Sequence, residues 1–111
     1  MSTGVEAKIR RALRRPELES KIEDRCVKHA KEHGWVSRKM NGLGFRSWPD
    51  RFFLPPRPKK QATRFWIEFK RVGEVLTDEQ ARMQVDLRAR GETVYACDNL
   101  EDFIVILEKH N

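Results

Sequence analysis

Apolar and polar positions divide the chain into seven short segments. Leu18, Ile22, Cys26, Val27 and Ala30 recur at helical spacing after Pro16, and Gly34 stops the run. Trp35 to Met40 reads as a short strand, and Asn41 to Trp48, with two glycines, as a loop. Asp50 to Leu54 predicts a strand that Pro55, Pro56 and Pro58 break. Between Arg64 and Lys70, Phe65, Ile67 and Phe69 alternate with Trp66, Glu68 and Lys70, the period of a strand with two distinct faces. Gly73 ends that segment. Thr77, with Gln80 three residues on, predicts a capping box and a helix running to Gly91. Ala81, Met83, Val85 and Leu87 also alternate as a strand would, but the cap, the length and the Gln, Arg and Glu content favour helix. Thr93 to Cys97 is β-rich, and Asp98 or Asn99 caps a last helix through Phe103, Ile104 and Leu107. The order α-β-β-β-α-β-α predicts an α/β architecture, a mixed sheet with helices packed against it.

Composition narrows this to one small domain. The chain has 111 residues, 39% of them apolar and 36% charged, with room for a single core. Its longest apolar run, Phe103 to Leu107, is far too short for a membrane span, and no apolar stretch follows the basic N-terminus as in a secretory signal. Cys26 and Cys97 lie far apart and have no CxxC partner, which fits a reducing cytosol better than a disulfide framework or a zinc site. The net charge of +6 is clustered. Residues 1–15 form a basic arm with Lys8, Arg10, Arg11, Arg14 and Arg15, and Arg57, Lys59, Lys60 and Arg64 form a second group. Such clusters suit a polyanion, most simply nucleic acid. A solvated tail and a solubilising loop would have the same composition.

Several polar residues fall where an apolar face belongs. At about 100° per residue, the apolar arc of the first helix spans roughly −40° to +140° around Ile22. Glu19 falls near 60° and Glu23 near 100° on the same wheel, whereas Lys21, Arg25, Lys28 and Lys31 fall outside the arc. A carboxylate aimed at a core needs a cation, a metal or a hydrogen-bond network; for Glu19 an edge position reaching water is the simpler reading, and for Glu23 both readings stand. Glu68 and Lys70 share a strand face, about 7 Å apart. They form an ordinary surface ion pair if the sheet is open there, and line a cleft if it is covered. Asp50, fixed by Pro49, opens the strand whose hairpin pairing brings its carboxylate beside Glu68, although Asp after Pro is also a common turn residue. Two carboxylates with a neighbouring lysine are what a hard divalent cation and an activated water require.

Pro49-Asp50 followed by Glu68-Phe69-Lys70 resembles the PD-(D/E)xK signature of restriction-endonuclease-like nucleases. The wider pattern resembles the VRR-NUC family from about residue 17 to 108. It comprises Glu19-Ser20-Lys21-Ile22-Glu23-Asp24, Gly34, Trp48-Pro49-Asp50-Arg51, Ile67-Glu68-Phe69-Lys70-Arg71, Leu76-Thr77 with Gln80, and Gly91 before Val94 and Asp98. Many members carry a glycine where this chain has Ser47, which bears on the loop geometry rather than the chemistry.

The resemblance implies a restriction-endonuclease-like αβββαβ core over residues 16–111 and divalent-metal-dependent phosphodiester cleavage. Asp50 and Glu68 correspond to the metal carboxylates, Lys70 to the catalytic lysine, Glu23 to the first-helix acid and Gln80 to the family glutamine. The expected metal set is Asp50, Glu68, the carbonyl of Phe69 and, through water or a second ion, Glu23, holding Mg²⁺ or Mn²⁺. Stand-alone members of this size resemble phage or prophage proteins that dimerise and act in a bacterial cytoplasm on branched DNA such as Holliday junctions. Arg51, Arg57, Lys59, Lys60, Arg64 and Arg71 are then the expected DNA contacts. A non-catalytic nucleic-acid-binding module on the same fold is the competing class. A protein-interaction domain using Trp35, Trp48 and Trp66 has only their number in its favour. His29 and His33 are a helical pair without a third ligand, and read as surface residues.

Overall fold

The first helix forms because Ile22, Cys26 and Ala30 lie along one stripe that can be buried against a sheet. In the computed structural model, which describes residues 18–40, 47–57 and 62–111, this helix is α1 (Glu19–Glu32). Leu18, with extended backbone, is its N-cap, so the expected opening at Pro16 lies outside the described residues. Gly34 ends it at φ 84°, where Gly34 N–H donates to Lys31 and Trp35 N–H to Ala30, the paired bonds of a Schellman cap. A Cβ at Gly34 would meet Pro56 at 3.1 Å, so the position also needs glycine for close approach.

Three strands follow, β1 (Val36–Lys39), β2 (Arg51–Leu54) and β3 (Phe65–Phe69). Then come α2 (Asp78–Ala89), β4 (Val94–Cys97) and α3 (Leu100–His110). The sheet order is β1-β2-β3-β4, with β1–β2 and β2–β3 antiparallel and β3–β4 parallel. The expected order of elements and the mixed sheet are both present. The expected loop at 41–48 is described only from Ser47 on, and Pro58 also lies outside the described residues.

Every residue of β3 is buried, because helices cover both of its faces. One face carries Phe65, Ile67 and Phe69 into the larger core with Ile22, Cys26, Phe53, Phe103 and Leu107, so α1 and α3 lie on that side. The other face packs Trp66 with Leu87 and Val94, so α2 lies opposite. Fully burying a side chain of this size is worth roughly 1.5–3 kcal/mol, which makes β3 the main anchor of the domain.

The capping box of α2 is complete: Thr77 Oγ1 accepts from Gln80 N, and Gln80 Oε1 accepts from Thr77 N. Gly91, at φ 90°, closes the helix as Gly34 closes α1. Val85 is 65% exposed, which excludes the strand-like alternation for this segment. Asn99 rather than Asp98 caps α3, accepting from Asp102 N at 2.7 Å.

The hairpin β2–β3 therefore has two distinct ends. Pro55, Pro56 and Arg57 lie toward its turn, whereas Asp50, Glu68 and Lys70 lie at the other.

Candidate active site at the open end of the β2–β3 hairpin

The β2–β3 register pairs Arg51 with Ile67, so the next step sets Asp50 opposite Glu68. Asp50 Oδ2 accepts from the Phe69 backbone N–H at 2.7 Å, and the Asp50 carbonyl accepts from Met40 N–H at the same length. These bonds fix the carboxylate at the sheet end. Glu68 projects to the α2 side, where Gln80 Nε2 donates to its Oε1 at 2.8 Å. Lys70 Nζ is 3.8 Å from the same oxygen, and Lys70 N–H donates to the Cys97 carbonyl at 2.9 Å. Glu68 and Lys70 are only 4% and 7% exposed, which decides for a covered cleft over an open-sheet ion pair.

Burial and the nearby Asp50 charge push the Glu68 carboxyl up to about 8. Burial raises Asp50 as well, opposed by its bond from Phe69. Two carboxyls shifted upward by burial beside an ammonium are the features of a functional-site candidate.

Glu23 is buried, which decides between the two readings of its wheel position, and its carboxylate accepts from Arg51 Nε. Arg51 Nη1 also donates to Ser37 Oγ at 3.1 Å. The expected DNA contact Arg51 is thus turned inward, because it is the cation that lets Glu23 be buried. Arg64 stays at the surface, 59% exposed, with Nη2 donating to Glu92 Oε2 at 3.1 Å and its guanidinium 6.0 Å from the Phe52 ring. Glu92 also accepts from Trp66 Nε1, and these bonds hold its carboxyl below the usual range. Arg57 and Arg71 are exposed, while Lys59, Lys60 and the arm 1–15 lie outside the described residues.

Two further acids lie near the site: Glu19, read from the sequence as an edge residue, and Glu74, which was not expected. Glu19 lies in a 300 Å³ cleft with Leu18, Ser20, Arg71 and Glu74. The hydrogen bond to Glu74, then burial, raises Glu19 to about 7, while the same contact holds Glu74 low. The wheel angle of Glu19 was the available signal; nothing in the sequence marked Glu74. Trp35 and Trp66 are buried, 4% and 7% exposed, and the half-buried Trp48 packs edge-on against Trp66 at 5.6 Å. An interaction surface made of them is thereby removed. His29 and His33 stack on each other at the surface of α1, with ring centroids 4.3 Å apart.

No protein-family model matches the sequence, and no curated protein matches it. One solved structure, described as a VRR_NUC domain, superposes with a TM-score of 0.70 and 20% identity, over 84% of this chain and 97% of that one. The chain has the VRR-NUC fold. In this VRR-NUC fold, Asp50, Glu68, Lys70 and Gln80 meet at one strand end, and Glu23 stands behind them, bound to Arg51. Shared fold does not by itself transfer chemistry, so any activity has to come from this cluster. No three His, Cys, Asp or Glu side chains among the described residues form a ready-made metal cage. No helix among them is long and apolar enough to cross a membrane.

Proposed function

We propose that the chain is a divalent-metal-dependent endonuclease that hydrolyses phosphodiester bonds in DNA, with branched forms such as Holliday junctions as its substrate class. The observation that carries this reading is the convergence of Asp50, Glu68, Lys70 and Gln80. The donor chemistry fits Mg²⁺ or Mn²⁺: Mg²⁺ is commonly held by one or two carboxylates and otherwise keeps waters and phosphate oxygens. Asp50, Glu68 and the Phe69 carbonyl would hold the ion, with Glu23 acting through water or a second ion. When bound, it would neutralise phosphate charge and acidify a water molecule.

The residues themselves do the rest. Gln80 orients Glu68 through the 2.8 Å bond. Lys70, held beside Glu68, would donate to a phosphate oxygen and stabilise charge that develops in the transition state. Products would be a 5′-phosphate and a 3′-hydroxyl. The described residues carry one such cluster and a junction has paired strands to cut, so the working form would be a symmetric homodimer. Arg57 and Arg71, with Lys59 and Lys60, would add sequence-independent, salt-sensitive phosphate contacts. The setting would be the cytoplasm of a bacterial host of the phage or prophage.

An incision assay tests this directly, presenting linear duplex, flap, splayed arm and four-way junction with Mg²⁺, Mn²⁺ or EDTA. Expected is cleavage that EDTA abolishes and that is strongest on the junction, and a Lys70→Ala variant that binds DNA without cutting it. DNA binding with no incision under any metal would instead identify a binding module on a nuclease fold.

A further inference from the structure

The strand register sets side chains in rows across the α2 side of the sheet. The row at the candidate site is Met40, Asp50 and Glu68, with Met40 N–H donating to the Asp50 carbonyl at 2.7 Å. Two residues along, the next row is Arg38, Phe52 and Trp66. A third row pairs Val36 with Leu54 and, one step past the Phe53–Phe65 pair, sets Arg64 beside them. The Arg64 guanidinium lies 6.0 Å from the Phe52 ring, so the second and third rows share a face. Neighbouring rows are about 7 Å apart. Helix α2 covers this face on one side only: Trp66 is buried with Leu87, whereas Phe52 is half-buried and Arg38 is exposed. Val36 and Leu54 are 46% and 39% exposed, an apolar pair on an open stretch of sheet.

We propose that this open face of β1 and β2 seats the DNA strand that is cut, with its phosphates on Arg38 and Arg64 and its sugars against Val36, Phe52 and Leu54. The proposal rests on the reading of the site as a nuclease and gives that site a surface for its substrate.

Charge, pattern and continuity all favour a polyanion here. The second and third rows hold two guanidinium groups and no carboxylate. Arg38 makes its one bond among the described residues to the neutral carbonyl of Ser37, so its charge is unmet. Glu92 accepts from both Arg64 Nη2 and Trp66 Nε1, so Arg64 is partly neutralised and Arg38 carries the larger share of the attraction. Guanidinium groups interleaved with apolar side chains match a strand that presents phosphates and sugars in turn, the groups that position a polynucleotide without reading its sequence. The rows also run without a break into the row of Asp50 and Glu68. A second copy of the chain is the other occupant for an apolar patch. A two-fold axis through this face would set the same guanidinium groups against each other, and like charges opposed across an interface are costly.

The test uses the full chain carrying Lys70→Ala as parent and a fluorescein-labelled four-way junction, with binding read by anisotropy over a range of salt. Adding Arg38→Ala should weaken binding by roughly fivefold at fixed salt and lower the slope of log affinity against log salt by about one. Arg38→Glu should weaken it further, while Lys109→Ala, on α3 across the sheet, should change neither reading. Val36→p-benzoylphenylalanine and Leu54→p-benzoylphenylalanine, both at exposed positions, should crosslink to the labelled strand on irradiation. Crosslinks between two chains instead of to DNA, or affinity and slope unchanged by Arg38→Glu, would each overturn the proposal and leave the nuclease reading standing. A parent chain that binds no DNA would overturn both.

Discussion

Gln80 holds Glu68 with one end of its side-chain amide and caps its own helix with the other: Nε2 donates to Glu68 Oε1 at 2.8 Å while Oε1 accepts from Thr77 N at 3.0 Å. The first turn of α2 and the orientation of the buried acid are therefore one structural unit. Thr77→Ala should cost about 1 kcal/mol by loss of the cap and leave cleavage close to wild type. Gln80→Ala should cost more, about 2–3 kcal/mol, because a buried carboxyl also loses its donor. It should lower kcat as well. Urea denaturation and steady-state cleavage on both variants separate the two effects.

Metal-free stability should fall as pH rises. The folded chain holds the Glu68 proton up to about pH 8, whereas the unfolded chain releases it near 4.5. The native state then binds more protons, so this contribution is fully present below 4.5 and is lost as pH rises through about 8. Glu68→Gln keeps the shape without the ionisation and should flatten the profile. Thermal melts in EDTA across this range provide the measurement.

The Glu23–Arg51 ion pair should resist single substitution and tolerate double substitution. Its side chains are 11% and 19% exposed, so Arg51→Met strands a mostly buried carboxylate at a cost of about 3 kcal/mol. Pairing it with Glu23→Gln should restore a large part of that loss. A double-mutant cycle by chemical denaturation measures the coupling.

His110 sets an acid limit from the opposite side of the domain. Its Nδ1 lies 2.6 Å from Thr63 Oγ1 and its Nε2 2.7 Å from the Tyr95 hydroxyl, clasping α3 to the start of β3 and to β4. Burial, with Lys109 nearby, lowers its pKa from 6.5. The unfolded chain thus binds the proton more readily, and stability from this group declines as pH falls from 6.5 toward the lower folded value. His110→Phe should remove that decline, read as the pH dependence of the melting temperature, while lowering stability near neutrality through the two lost hydrogen bonds.

Much of this was legible from periodicity. The Phe65, Ile67, Phe69 alternation identified the core face of β3, and the spacing of Thr77 and Gln80 identified the cap, because both depend on near neighbours in sequence. The wheel placed Glu23 inward but could not name Arg51 as its partner, a contact 28 residues distant. Arg51 looked like surface charge because composition does not tell which cations answer buried acids. The Glu19–Glu74 pair arises only when α1 packs on the sheet beside the β3–α2 connection. His110 was readable, falling seven residues after Phe103 and three after Leu107 on the same helical stripe, yet a polar residue there gives no sign of its two hydroxyl partners.

For the proposed substrate, the two-ended hairpin would also act as a ruler. From Asp50 to the turn at Leu54 is four strand steps, about 13 Å, or roughly four base-pair rises of duplex. In the proposed reaction Arg57, on the turn side, would grip a polynucleotide some distance along from the bond that is cut. Trimming an oligonucleotide below that span would then weaken retention without touching the chemistry, and exchanging the turn would reset the minimum substrate length independently of the reaction.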